Sequence, residues 1–199
     1  MNVFICNGAP FSGKDTLVTK ILSYFGEHGV LTRFKDPLYA RFSERHNLPL
    51  EKVIEICNGP QKDQPCDLIG GLIPRQELID ISENGIKKEL GETGVAYLTA
   101  ENILSTEEHG RKTFVMPDGG FEKERAYLQT ALRRFGLTGL YVLRILRDGY
   151  TFEAVNDSRS FVSNPDLIID NNVHESEEER GNHMFQQWKV WYETEIMQK

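Results

Sequence analysis

The sequence predicts an α/β fold, a three-layer sandwich in which about five parallel strands are covered by helices on both faces. Three observations carry this. Short apolar runs rich in branched and aromatic residues recur along the 199 residues. Most are followed by a stretch with apolar residues at helical spacing. Glycine and proline punctuate the junctions. Such alternation buries a parallel sheet between helical layers. Ligands of these sheets gather at the carboxyl ends of the strands.

Taken in order, residues 2–7 (NVFICN) form the first strand. Beyond a glycine turn, Leu17, Ile21, Leu22 and Phe25 mark a helix that Gly26 or Gly29 can end. Residues 30–35 (VLTRFK) read as the second strand. Asp36-Pro37 breaks it and can open a helix carrying Leu38 and Phe42. A short helix is expected over 50–56 and a loop over 58–71. Pro74 can start a helix that continues through Leu78, Ile79, Ile81, Ser82 and Ile86, and another is expected over 97–104. The third strand is 112–116 (KTFVM), cut by Pro117-Asp118-Gly119-Gly120, with a helix over 122–135 after it. Strand four is 140–146 (LYVLRIL) and strand five 167–169. A helix over 175–195 ends the chain, with Met184, Trp188 and Trp191 spaced for core packing.

Length suits one domain, 1–199, with room for an insertion. The net charge of −7 argues against broad nucleic-acid binding, which needs a basic surface. Cys6, Cys57 and Cys66 show no zinc spacing and read as reduced thiols of a cytoplasmic protein. His28, His46, His109, His174 and His183 form no ligand spacing. The N-terminus shows no basic n-region with a long apolar run. No apolar run approaches the ~20 residues that span a bilayer.

The chemistry concentrates at strand ends. Gly8-Ala9-Pro10-Phe11-Ser12-Gly13-Lys14 satisfies G-x-x-x-x-G-K and lies between the first strand and the first helix. Glycines allow backbone angles that converge N–H groups on phosphate oxygens. A helix N-terminus adds partial positive charge, and Lys14 a full one. The next residues, Asp15-Thr16, depart from the usual serine or threonine. A carboxylate is a hard ligand suited to magnesium. Asp15 either serves that ion or caps the helix, leaving the metal oxygen to Thr16. Asp118 follows the third strand directly, where an acid can orient metal or substrate, or simply form a turn. Arg147 and Arg159 flank a glycine- and aromatic-containing segment and can close over a triphosphate. Their alternative is pairing with Asp148, Glu153 or Asp157. Arg144 can leave the sheet edge. Lys35 and Asp36 end strand two, where an acceptor can approach, and Arg75 can grip an acceptor phosphate bidentately. Ordinary salt bridges are the alternative at both places.

The Gly-Lys-Asp-Thr ending resembles that of the bacteriophage deoxynucleoside monophosphate kinases and related P-loop small-molecule kinases. Lys35-Asp36-Pro37-Leu38 is similar to that family's Asp-Pro-Leu after strand two. Pro74-Arg75-Gln76-Glu77-Leu78 through Ser82-Glu83 is similar to its Pro-Arg-x-x-Leu helix. Val115-Met116-Pro117-Asp118, with Glu124 six residues on, looks like its third-strand turn. The family often has an arginine where this chain has Gly120; Arg75 or Arg125 are the candidates to compensate. Residues 58–73 match no part of the pattern.

The resemblance implies transfer of the γ-phosphoryl of ATP, with Mg2+, to a (deoxy)nucleoside monophosphate. It implies a nucleotide site at residues 8–16, metal at Asp15 or Thr16, and catalysis by Lys14, Asp118, Arg147 and Arg159. Lys35, Asp36, Arg75, Asp118 and Glu124 would bind the acceptor, and the single kinase domain would carry an acceptor-binding helical insertion over about 37–105 and a lid over about 147–162. Partners are expected to be small nucleotides, not nucleic acid or membrane, and a homodimer is allowed. Two other readings stand beside this one. One is a kinase of hydroxyl acceptors, like the dephospho-coenzyme A kinases, with Asp36 as base. The other is a nucleotide-binding protein without turnover. A nucleic-acid end kinase is disfavoured by the negative charge.

Overall fold

The computed structural model describes residues 1–107, 112–119, 121–136, 139–153, 160–173 and 176–198. They fall into two compact units, Met1–Arg33 with Ile103–Lys199, and Phe34–Asn102.

The first unit holds β1 (Asn2–Asn7), α1 (Lys14–Phe25), β2 (Gly29–Leu31), β3 (Thr113–Met116), β4 (Gly139–Leu146) and β5 (Leu167–Asp170). All the pairings are parallel, in the order β2-β3-β1-β4-β5. β1 therefore lies at the centre, between β3 and β4. Successive strand residues face opposite ways. Phe4, Cys6, Val115, Leu143, Ile145 and Ile169 share one core with Leu17, Val18 and Ile21 of α1 and Met184, Trp188 and Tyr192 near the C-terminus. Val3, Ile5, Phe114, Met116 and Val142 alternate with them and are also buried, so both faces of the sheet are covered. The last helix spans Glu177–Trp191 and continues as a π-helical turn, Tyr192–Ile196. Its start is a reciprocal capping box between Ser176 and Glu179. The Met184 and Trp188 side chains pack as their spacing predicts, while Trp191 is only partly buried.

β2 is shorter than 30–35. It pairs only with the four-residue β3, and the ladder runs out at the Thr32 N–H, which donates to Val115 O at 3.1 Å. Lys35 has already turned to helical angles as the N-cap of the next helix. The fourth strand is an interior strand, so Arg144 does not leave a sheet edge. Its guanidinium donates to Val162 O and lies over the Phe161 ring.

The second unit is helical: α2 (Asp36–His46), α3 (Leu50–Asn58), α4 (Pro74–Asp80), a π-helical segment (Ile81–Ile86) and α5 (Lys87–Leu90). The next helix, α6, runs Gly94–Glu107, longer at both ends than 97–104. Inside this unit Glu77 is buried and accepts from Arg45 Nη1 at 2.8 Å, with His46 Nε2 at 3.0 Å. Buried carboxylates need such partners. Tyr39 donates to Asn58 Oδ1 at 3.0 Å. No helix among the described residues is long and apolar enough to cross a membrane.

Candidate active site

The site is assembled where β1 ends. Gly13 carries φ +98° and is the N-cap of α1. A Cβ there would come within 2.6 Å of Asn171 Nδ2 and 2.9 Å of Met184 Cε, so backbone angle and space both require glycine. The Ser12 N–H turns back to Ala9 O at 3.2 Å. Lys14 is 8% exposed, and its Nζ donates to the same Ala9 carbonyl at 2.7 Å. The turn thus holds a buried ammonium at the start of a 12-residue helix. Pro10 is half-buried and Phe11, at the tip, is 75% exposed. The Ser12 hydroxyl oxygen is buried without a hydrogen-bond partner. Buried polar atoms are nearly always paired, so this one is a group available to a ligand.

Because Gly13 is the N-cap, Asp15 does not cap the helix; it lies in the first turn with its side chain exposed. Thr16 is half-buried, and its methyl lies on the side facing Gly181. No cluster of three or more His, Cys, Asp or Glu side chains able to hold a metal occurs among the described residues. Magnesium, however, typically keeps waters and takes one or two carboxylates plus substrate phosphates. An exposed acid beside a glycine turn of this shape fits that mode.

Asp118 is half-buried in the turn after β3. A Cβ on the adjacent Gly119 would overlap Ile5 at 2.0 Å, so glycine lets this turn press against β1. Arg147 follows β4 directly. Its Nη1 donates to Phe11 O at 2.8 Å, and its guanidinium lies 4.4 Å from the Tyr150 ring centre. Arg147 is therefore placed on the glycine turn itself. Arg159 and Gly120, and most of the central part of 147–162, lie outside the described residues. Glu124 is half-buried in the first turn of the helix Glu122–Arg133, α7. Arg125, on the same helix, pairs with Glu122. The Glu122 carboxyl is held below its usual range: burial opposes this, but Arg125 and the Ser163 N–H outweigh it.

In the second unit Lys35 and Asp36 stand at the start of α2, and Arg75 in the first turn of α4. Arg75 binds Asp63 through Nε and Nη2, the salt bridge that was the alternative for it. That contact pulls the Asp63 carboxyl down. Burial pushes the Cys57 thiol up to about 11, against the charge of Lys35. Burial likewise pushes Cys6 up to about 12, against Lys14, so neither thiol is a nucleophile at neutral pH.

Three asparagines were not singled out from the sequence. Asn7, fully buried, donates to Gly119 O at 2.9 Å and Ser160 O at 3.1 Å and accepts from Val162 N at 2.9 Å. It ties the Asp118 turn and residues 160–162 to the base of the glycine turn. Asn171 donates to Ser12 O at 2.7 Å, and Asn172 accepts from Asp148 N at 2.6 Å. The available signal was position: Asn7 ends the apolar strand NVFICN, and Asn171 and Asn172 follow directly on the strand LIID. Asn7→Ala removes the partner of three backbone groups, two of them in buried bonds and that of Ser160 in a part-buried one. It is expected to lower unfolding free energy by about 3 kcal/mol. Urea denaturation measures this, and a loss under about 1 kcal/mol would deny Asn7 that bracing role.

The strand order, the glycine turn and its buried lysine define a P-loop kinase-like α/β fold. The APS kinase of Mycobacterium tuberculosis, solved with AMPPNP and APS, has this fold, at 10% identity and a TM-score of 0.51 over 94% of this chain and 97% of that one. A sugar kinase from Janibacter aligns at 12% identity over 98% and 95% of the two chains, but its TM-score of 0.46 adds nothing to the assignment. No family model matches the chain, and no curated protein matches it in sequence.

Proposed function

We propose that this protein transfers the γ-phosphoryl group of ATP to a nucleoside or deoxynucleoside monophosphate, as the bacteriophage-type deoxynucleoside monophosphate kinases do. The observation that carries this is the G-x-x-x-x-G-K turn at the end of β1, with Lys14 buried inside it. Backbone N–H groups at the start of α1, the Lys14 ammonium and the unpartnered Ser12 hydroxyl suit phosphate oxygens. Asp15, with Thr16 as the alternative oxygen, would hold Mg2+. A divalent ion there supplies charge neutralisation on the phosphates. An acceptor phosphate is already a competent nucleophile, so the protein's part is positioning and charge stabilisation. Arg147, with Arg159, would neutralise charge on the transferring group. Lys35, Asp36, Arg75, Asp118 and Glu124 would contribute to acceptor binding, and a helical insertion over about 37–105 would serve the acceptor in a single kinase domain. The Arg75–Asp63 pair is about half exposed, with side-chain exposures of 49% and 52%. Pairs of that kind contribute little, so an acceptor phosphate can displace the carboxylate.

The test is a coupled ADP-release assay with ATP and magnesium over all common ribo- and deoxyribonucleoside monophosphates, with dephospho-coenzyme A and sugars as hydroxyl acceptors. Turnover with one or more monophosphates and none with hydroxyl acceptors is expected. Turnover only with a hydroxyl acceptor, or ATP binding without turnover on any acceptor, overturns the reading.

The magnesium assignment gives its own expected result. Asp15→Asn raises several-fold the free magnesium needed for half-maximal rate, because a neutral amide binds the ion less well. Asp15→Ser restores much of the activity by returning the usual ligand type. Superimposable magnesium curves for wild type and both variants would remove Asp15 from the metal site.

A further inference from the structure

Four hydrogen bonds close a circuit around the phosphate turn. Arg147 Nη1 holds Phe11 O at 2.8 Å. One residue on, the Asp148 N–H donates to Asn172 Oδ1 at 2.6 Å. The neighbouring Asn171 donates from Nδ2 to Ser12 O at 2.7 Å. Its backbone N–H donates to Leu146 O at 2.9 Å, fixing the β5 end to the β4 end. Thus two successive carbonyls of the turn, Phe11 and Ser12, are gripped from two strand ends, and those ends are tied to each other. Asn171 is 3% exposed, so its bond is shielded from water.

We infer that Asn171 and Asn172 are positioning residues that set the phosphate-binding conformation of the turn and couple it to the Arg147 segment. The physical reason is peptide planarity. In a trans peptide the C=O and the following N–H point opposite ways. Holding Ser12 O toward Asn171 therefore aims the Gly13 N–H away from it. The same grip fixes the Ser12–Gly13 peptide just before the left-handed Gly13 angle that starts α1. Asn172 does for Asp148 what Asn171 does for Ser12, so the loop that binds phosphate and the arginine at its tip are constrained together. An amide suits both tasks, since it can donate or accept with little bulk. The inference rests on the kinase reading only for the ligand that the turn receives.

The test has a ligand-free arm and a binding arm. Amide hydrogen exchange on the full chain compares wild type with Asn171→Ala, Asn172→Ala and Asn172→Asp, with β1 and α8, the helix Glu177–Trp191, as internal controls. Either alanine variant is expected to speed exchange about tenfold in both 8–16 and 147–150, with the controls unchanged. Asn172→Asp keeps the acceptor that Asp148 needs and should match wild type. Loosening confined to the segment each residue touches, or none, overturns the coupling. Should Asn171→Ala fail to fold, the half-buried Asn172 pair still decides the matter. In the second arm, ATP affinity by calorimetry is expected to fall about tenfold in Asn171→Ala. Unchanged affinity despite a loosened turn overturns the positioning role. Coupled loosening in the alanine variants of a protein whose wild type binds no ATP would instead leave the circuit standing and defeat the kinase reading.

Discussion

Lys14→Ala is expected to lower ATP-dependent phosphoryl transfer by about 10³-fold while the protein stays folded. The lysine is the one cation of the glycine turn, and its ammonium is held inside the turn by Ala9 O at 2.7 Å. On the proposed kinase reading, that bond is the resting contact of a donor that phosphate would take over during reaction. In a site of low effective dielectric, a fixed positive charge against developing negative charge is worth far more than in water. The stem packs in a buried position, so alanine also removes apolar contacts. Lys14→Met separates the two effects, because it keeps the stem and removes the charge. Both variants should lose turnover, and thermal unfolding should show Lys14→Met near wild type. Near-normal turnover in folded Lys14→Met would take the glycine turn out of the chemistry.

The second large effect belongs to Asp118. Asp118→Asn is expected to reduce kcat about 10²-fold and to leave ATP affinity nearly unchanged. Its turn is pinned beside the start of the glycine turn through Asn7 and Gly119 O, yet it lies on the β3 side of β1 and not on the loop itself. On the proposed kinase reading, a group placed there would orient the reacting partners more than it binds ATP. The change from carboxylate to amide keeps the shape and removes the charge. Steady-state kinetics with calorimetric ATP binding check the split. Equal fall in affinity and rate would make Asp118 a binding residue, and wild-type kinetics would make it a turn residue only.

Strand and helix identities were legible wherever a pattern stayed local. β1 occupies residues 2–7 as its apolar run predicts, and the glycine turn opens α1 at Lys14. Glycine angles, helix starts and apolar periodicity act over a few residues, so a single sequence displays them. The errors have the same logic. β2 stops early because its only neighbour, β3, is four residues long and Lys35 already begins a helix. Nothing within 30–35 reports the length of a partner some eighty residues away. Arg144 looked like a residue at a sheet edge, but the parallel order places β4 between β1 and β5.

The glycine turn was legible in the sequence, because its shape is a contiguous backbone conformation that Gly8, Gly13 and Lys14 themselves impose. The frame that holds the turn could not. Asn7 reaches Ser160 and Val162 across separations of 153 and 155 residues, and Asn171 reaches Ser12 across 159. These bonds exist only because β1, β4 and β5 end side by side in one sheet. A buried amide gains its role from whichever backbone groups the fold brings to it, and strand order, not local propensity, makes that choice.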